Sequence, residues 1–94
     1  MKLGIIGTGM IVKELLSITP LLKDLELEAI CGTPRNEENM NQLKNNYNIK
    51  KVLFDYDELL SLDLDAVYIG LPNNLHFEYS KRALEAGVNV IVEK

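Results

Sequence analysis

The feature that most limits the possible folds of this chain is its opening. Residues 3–6 form a short apolar run of strand character, and Gly7-Thr8-Gly9 follows at once. Ile11, Val12, Leu15, Leu16 and Thr19 then recur at helical spacing until Pro20 limits the helix. A strand that passes through a glycine turn straight into a helix starts a βαβ unit. The remaining sequence repeats that alternation. Residues 25–31 predict a second strand, whose Leu-Glu-Leu-Glu start alternates as a half-exposed strand does. Gly32-Thr33-Pro34 is a turn signal, and Met40, Leu43 and Tyr47 mark one face of a second helix. A third strand is expected over 52–54. Asp55 with Glu58 has the form of a capping box for a short helix through Leu60. A fourth strand covers 66–69. A fourth helix over about 74–86 would bury Leu75, Tyr79, Ala83 and Ala86, with Gly87 as its left-handed cap. A fifth strand follows over 88–92.

This alternation predicts an α/β fold of Rossmann type, with a doubly wound parallel sheet in the order 3-2-1-4-5. The chain has 94 residues, enough for one dinucleotide-binding domain over 1–94. Ligands on such a sheet bind at the carboxyl ends of the strands, where the order reverses. Residues 7–11, 32–35, 71–74 and 93–94 are all expected at that edge. The formal charge of −4 argues against a nucleic-acid partner. Lys50-Lys51 and Lys81-Arg82 are isolated pairs on solvated faces. No apolar run approaches the roughly 20 residues of a membrane span. A single cysteine, Cys31, allows no intrachain disulfide, and the start of the chain has no signal-peptide pattern. The expected location is therefore cytoplasmic. One histidine and one cysteine far apart lack metal-ligand spacing, so no metal is expected.

Gly7 permits the tight turn, and Gly9 lets the backbone approach a pyrophosphate. Thr8, Met10 and Ile11 complete the turn and bring the helix N-terminus to the same anion. The plainer alternative is a structural turn. Val12 stands where the G-x-G-x-x-G pattern has its third glycine, so the helix is expected slightly farther from the sheet. After the second strand no acid precedes Glu37, although an Asp or Glu there would select NAD. Thr33 can donate to a 2′-phosphate and Arg35 can pair with it, which favours NADP over NAD. The alternative is a solvated Arg35, with Glu37 or Glu38 swinging back to the ribose. In Leu71-Pro72-Asn73-Asn74-Leu75-His76, the asparagines suit an N-cap and the proline a strand-to-helix turn. A histidine in a first helical turn is read as a structural hydrogen-bonder ahead of a catalytic base. Lys94, after Glu93, could hydrogen-bond a substrate hydroxyl or carbonyl and help move its proton, but spacing alone makes a solvated lysine the default.

Three segments carry a resemblance: Gly4-Ile5-Ile6-Gly7-Thr8-Gly9, the stretch from Asp65 through Pro72-Asn73-Asn74-Leu75-His76, and the stretch from Ala83 through Ala86-Gly87 to Glu93-Lys94. Together they resemble the N-terminal domain of the glucose–fructose oxidoreductase / inositol dehydrogenase / rhizopine-catabolism (Gfo/Idh/MocA) family. The likeness runs essentially end to end. The Pro-Asn-x-x-His block and the Glu-Lys ending are more specific than the glycine turn. The resemblance implies an NAD(P)-dependent dehydrogenase or reductase of sugars, cyclitols or related polyols. It implies cofactor contacts from Leu71, Pro72, Asn73 and His76, and a catalytic lysine at Lys94 with Glu93 beside it. In that family the Rossmann domain precedes a larger α/β domain with an open, mainly antiparallel sheet. This chain is accordingly expected to be truncated at its C-terminal end, to lack that substrate domain and to be inactive by itself. Val12 departs from the small residue the family usually has there.

Two other readings stand beside this one. A non-catalytic dinucleotide-binding or sensing module shares the fold, but has no use for a lysine at the nicotinamide. A Rossmann-type methyltransferase normally has an acid after the second strand, and none is well placed. Self-association into a homo-oligomer is expected from apolar surface that the missing domain would cover.

Overall fold

The computed structural model describes residues 1–92, with Met10, Ile11 and Val92 by their backbone alone. Nine main elements alternate: β1 (Lys2–Ile6), α1 (Met10–Ile18), β2 (Glu26–Cys31), α2 (Glu37–Tyr47), β3 (Lys51–Leu53), α3 (Tyr56–Leu60), β4 (Ala66–Ile69), α4 (Asn73–Glu85) and β5 (Asn89–Val92). Single 3-10 turns occupy Thr19–Leu21, with Pro20 in its first positions, and Pro34–Asn36. All strand pairs are parallel, and the sheet order is β3-β2-β1-β4-β5, as the alternation predicts.

Successive side chains of a strand point to opposite faces, so a parallel sheet must be covered twice. Ile5, Ile30 and Tyr68 face one side, where Val12 and Leu16 of α1 and Met40 and Leu43 of α2 pack on them. Ile6, Ala29, Cys31, Val67 and Ile69 face the other, under Tyr56 and Leu59 of α3 and Ala83 of α4. β1 and β4, at the centre, are buried almost along their whole length. The half-exposed start of β2 is also observed, with Glu26 exposed and Leu27 buried.

Local details differ from expectation at the helix ends. The Asp55 carboxylate accepts from the Asp57 amide at 2.9 Å, but the return bond from Glu58 is not formed among the described residues. The cap of α3 is therefore an Asx turn and not a full capping box. Ala86 is exposed rather than buried, because it is the C-cap of α4 and its Cβ leaves the sheet-facing stripe. Gly87 has the expected left-handed φ of +80°. Asn48 caps α2 in the same region (φ 58°), a role that asparagine takes at moderate cost and that the sequence reading missed.

Val12 is fully buried, and its Cγ2 lies 2.3 Å from where a Cβ on residue 70 would stand. The room that a third glycine leaves on the helix is left here by Gly70 on the strand side. Gly70→Ala is expected to cost about 1–3 kcal/mol by overpacking. Val12→Ala in the same chain should recover part of that loss, giving a coupling of about 1–2 kcal/mol in a double-mutant cycle. Urea unfolding of the four chains measures it, and additive effects would show that the two residues do not share one space.

Candidate functional site

The three central strands β2, β1 and β4 are each followed directly by a glycine. The Gly7 amide donates to the Cys31 carbonyl at 2.9 Å, Gly32 to Leu53 at 3.1 Å and Gly70 to Ile6 at 2.9 Å. Each bond carries the sheet one residue further before the chains diverge. The space they leave is a crevice of about 390 Å³, lined by the three glycines together with Thr8, Gly9, Thr33, Leu71 and Pro72. Among the described residues, no charged side chain lines it. An anion entering it would therefore be met by backbone amides and hydroxyls.

The two turn glycines are glycine for different reasons. Gly7 has φ +111°, and a Cβ there would lie 2.4 Å from the Gly70 carbonyl oxygen. Backbone conformation and sterics both exclude a side chain. Gly9 has an ordinary φ of −76°, and nothing lies within 4 Å of a Cβ built on it. The folded chain therefore has room for a side chain at Gly9, itself a lining residue of the crevice. Gly9 is also the N-cap of α1, with no side-chain cap. The first intrahelical bond runs from Lys13 N–H to the Gly9 carbonyl at 3.1 Å, so the amides of the preceding turn have no helical acceptor. Met10 and Ile11 begin α1.

Thr33 precedes the Pro34–Asn36 turn, with Arg35 inside it. Arg35 is exposed and pairs with no carboxylate among the described residues. Glu37 and Glu38 lie in the first turn of α2, exposed and outside the crevice lining. At the end of β4, Pro72 is the N-cap of α4 and Asn73 its first residue, so no asparagine side chain caps this helix. Leu71 and Pro72 line the crevice, while Asn73 and His76 are not part of its lining. The half-buried His76 donates from Nε2 to the Leu71 carbonyl at 2.5 Å. A carbonyl only accepts, so the proton is on Nε2 and the ring ties the 71–72 loop to the helix. Glu93 and Lys94 lie outside the described residues. Val92 pairs with Ile69, so β5 leads the chain to this same edge.

The sequence reading missed the far wall of the crevice. Phe54, Tyr56, Leu75 and Tyr79 line it. The Tyr56 hydroxyl donates to the Tyr79 carbonyl at 2.8 Å, and the two rings lie 4.7 Å apart. The Arg82 guanidinium sits 4.9 Å from the Tyr56 ring centre and is ion-paired with Asp57. Burial pushes the Tyr56 phenol up to about 12, so it stays a donor at neutral pH. Burial, with Asp55 and Glu58 nearby, likewise raises the Cys31 thiol to about 11. Cys31 borders the crevice but is buried. The wall is thus neutral and largely apolar, suited to a flat ring.

The profile of the Gfo/Idh/MocA oxidoreductase family, NAD-binding Rossmann fold, matches residues 1–94. A D-xylose 1-dehydrogenase (NADP(+)) of Haloferax volcanii is 38% identical, over 100% of this chain and 29% of its own length. The 3-ketoreductase KijD10 of Actinomadura kijaniata, solved with NADP, is 31% identical with a TM-score of 0.88, covering 100% of this chain and 30% of its own. The scyllo-inositol dehydrogenase of Lactobacillus casei, solved with NAD(H) and scyllo-inositol, is 28% identical with a TM-score of 0.85, over 100% and 28% respectively. The chain spans under a third of the length of each.

Proposed function

The chain belongs to the Gfo/Idh/MocA oxidoreductase family, and from that premise we propose that it holds NADP in preference to NAD for hydride transfer to or from a sugar, cyclitol or related polyol. The observation that carries the reading is the unfilled space at Gly9, a lining residue of the crevice at the uncapped start of α1, where no charged side chain of the described residues stands. A dinucleotide pyrophosphate fits there against amides. The amides of Thr8, Gly9, Met10 and Ile11 meet it, and Gly7 holds their turn. Leu71, Pro72 and Asn73 contact the cofactor from the β4 side, with His76 fixing their loop. When bound, the nicotinamide supplies the hydride chemistry and the protein supplies orientation. Lys94, next to Glu93 in sequence, is the residue assigned to pass a proton to or from the substrate oxygen. The protein works in the cytoplasm, a reading supported by a lone thiol, and the 94-residue chain self-associates into a homo-oligomer through apolar surface such as Phe77 and Leu84, exposed on α4.

NADP is favoured on residue grounds. The relatives are divided, since the Haloferax enzyme is named for NADP(+) while the Lactobacillus structure holds NAD(H). Thr33 and an unpaired Arg35 stand where an NAD site places an acid. Calorimetric titration is expected to show tighter binding of NADPH than of NADH. Arg35→Ala should cost about 1–3 kcal/mol with NADPH and little with NADH. Equal or tighter NADH binding by the parent chain would refute the preference.

A further inference from the structure

The Thr33 hydroxyl has one proton to give and two lone pairs to receive with. Asn36 is bonded to Thr33 twice. Its backbone amide donates to the Thr33 carbonyl at 2.9 Å, and its side-chain Nδ2 donates to Thr33 Oγ1 at 3.3 Å. An amide nitrogen only donates, so one lone pair of the hydroxyl is engaged from within the turn and its O–H is left to donate elsewhere. Thr33 and Asn36 both line the crevice. Resting on the reading that Thr33 and Arg35 meet a 2′-phosphate, we infer that Asn36 is a positioning residue for cofactor selection: by occupying one lone pair of the Thr33 hydroxyl it biases that hydroxyl toward donating.

A phosphate oxygen accepts only and carries charge, so a hydroxyl pre-set as a donor suits it without reorientation. A ribose 2′-hydroxyl accepts a neutral bond of about half that strength or donates one itself, and gains less from the pre-set proton. The backbone bond holds the turn without the Asn36 side chain, so removing that side chain should leave the fold unchanged. A turn-stabilising asparagine would affect both cofactors alike. An asparagine acting through Thr33 would affect NADPH alone, and only while the hydroxyl is present.

The experiment is calorimetry with NADPH and with NADH on the chain and on Asn36→Ala, Asn36→Leu, Thr33→Val and Thr33→Val combined with Asn36→Leu, with melting temperatures alongside. Both Asn36 variants are expected to weaken NADPH by about threefold to tenfold, and NADH by less than about twofold, at an unchanged melting temperature. In the Thr33→Val background Asn36→Leu should have no further effect. Equal weakening of both cofactors, or an Asn36 effect that survives in Thr33→Val, overturns the inference. A parent chain that favours NADPH while both Asn36 variants bind like it overturns the inference alone. A parent chain without that preference overturns the 2′-phosphate reading, and the inference with it.

Discussion

Gly7→Ala is expected to remove a large part of the stability of this chain, while Gly9→Ala folds normally and binds its cofactor far more weakly. At Gly7 the backbone is left-handed (φ +111°), and the new methyl would meet the Gly70 carbonyl oxygen at 2.4 Å. The left-handed conformation costs an L-residue roughly 1–2 kcal/mol. The steric conflict adds more, because neither partner is a flexible side chain. The sum, on the order of 4 kcal/mol, compares with a total stability of about 5–15 kcal/mol for a typical domain. At Gly9 the backbone is ordinary and the Cβ meets nothing within 4 Å. Loss of chain entropy favours alanine and the N-cap preference opposes it, so stability should change by no more than about 1 kcal/mol. The methyl would occupy the space read as the pyrophosphate approach, and NADPH affinity should fall on the order of tenfold to a hundredfold. Urea unfolding followed by circular dichroism, with calorimetry, separates the two. A Gly9→Ala chain that binds NADPH like its parent would remove the main support for the crevice as the cofactor site.

Lys94→Ala and Lys94→Met in the intact protein are expected to lower turnover by about 10²–10⁴-fold with cofactor affinity retained. The 94-residue chain alone is expected to show none. Hydride transfer needs the substrate carbon held against the nicotinamide, and such positioning is worth several kcal/mol of barrier. The relatives are more than three times as long as this chain, and the substrate contacts are proposed to lie in the part it does not span. A panel of sugars and polyols with NADP and NAD identifies a substrate, after which wild type and variants are compared. Near-wild-type turnover in Lys94→Met would take the central role away from Lys94. Turnover by the 94-residue chain would show that the substrate contacts lie within residues 1–94.

Much of this architecture is legible locally. Apolar residues at strand or helical spacing identify the elements, and the handedness of parallel crossovers then leaves the order β3-β2-β1-β4-β5. Gly7-Thr8-Gly9 announces the first turn because its chemistry depends on neighbours in sequence. The helix ends were less legible. Asn73 and Asn74 advertise an N-cap, yet the extended backbone of Pro72 (ψ 151°) takes that place one residue earlier. Proline before the first helical residue left the asparagines nothing to cap.

The sequence by itself determined the fold class, the strand order and the sheet edge that holds the crevice. These follow from short-range periodicity and from turn residues, whose physics is contained in a few adjacent positions. Only the tertiary structure decided that Gly70 makes room for Val12, that Gly9 faces open space while Gly7 does not, and that Arg82 backs Tyr56 against Tyr79. Each of those facts is a distance between residues far apart in the chain. Such distances do not exist until the crossovers bring β1, β4 and the helices together, because burial and steric contact depend on where atoms lie in space and not on their order along the backbone.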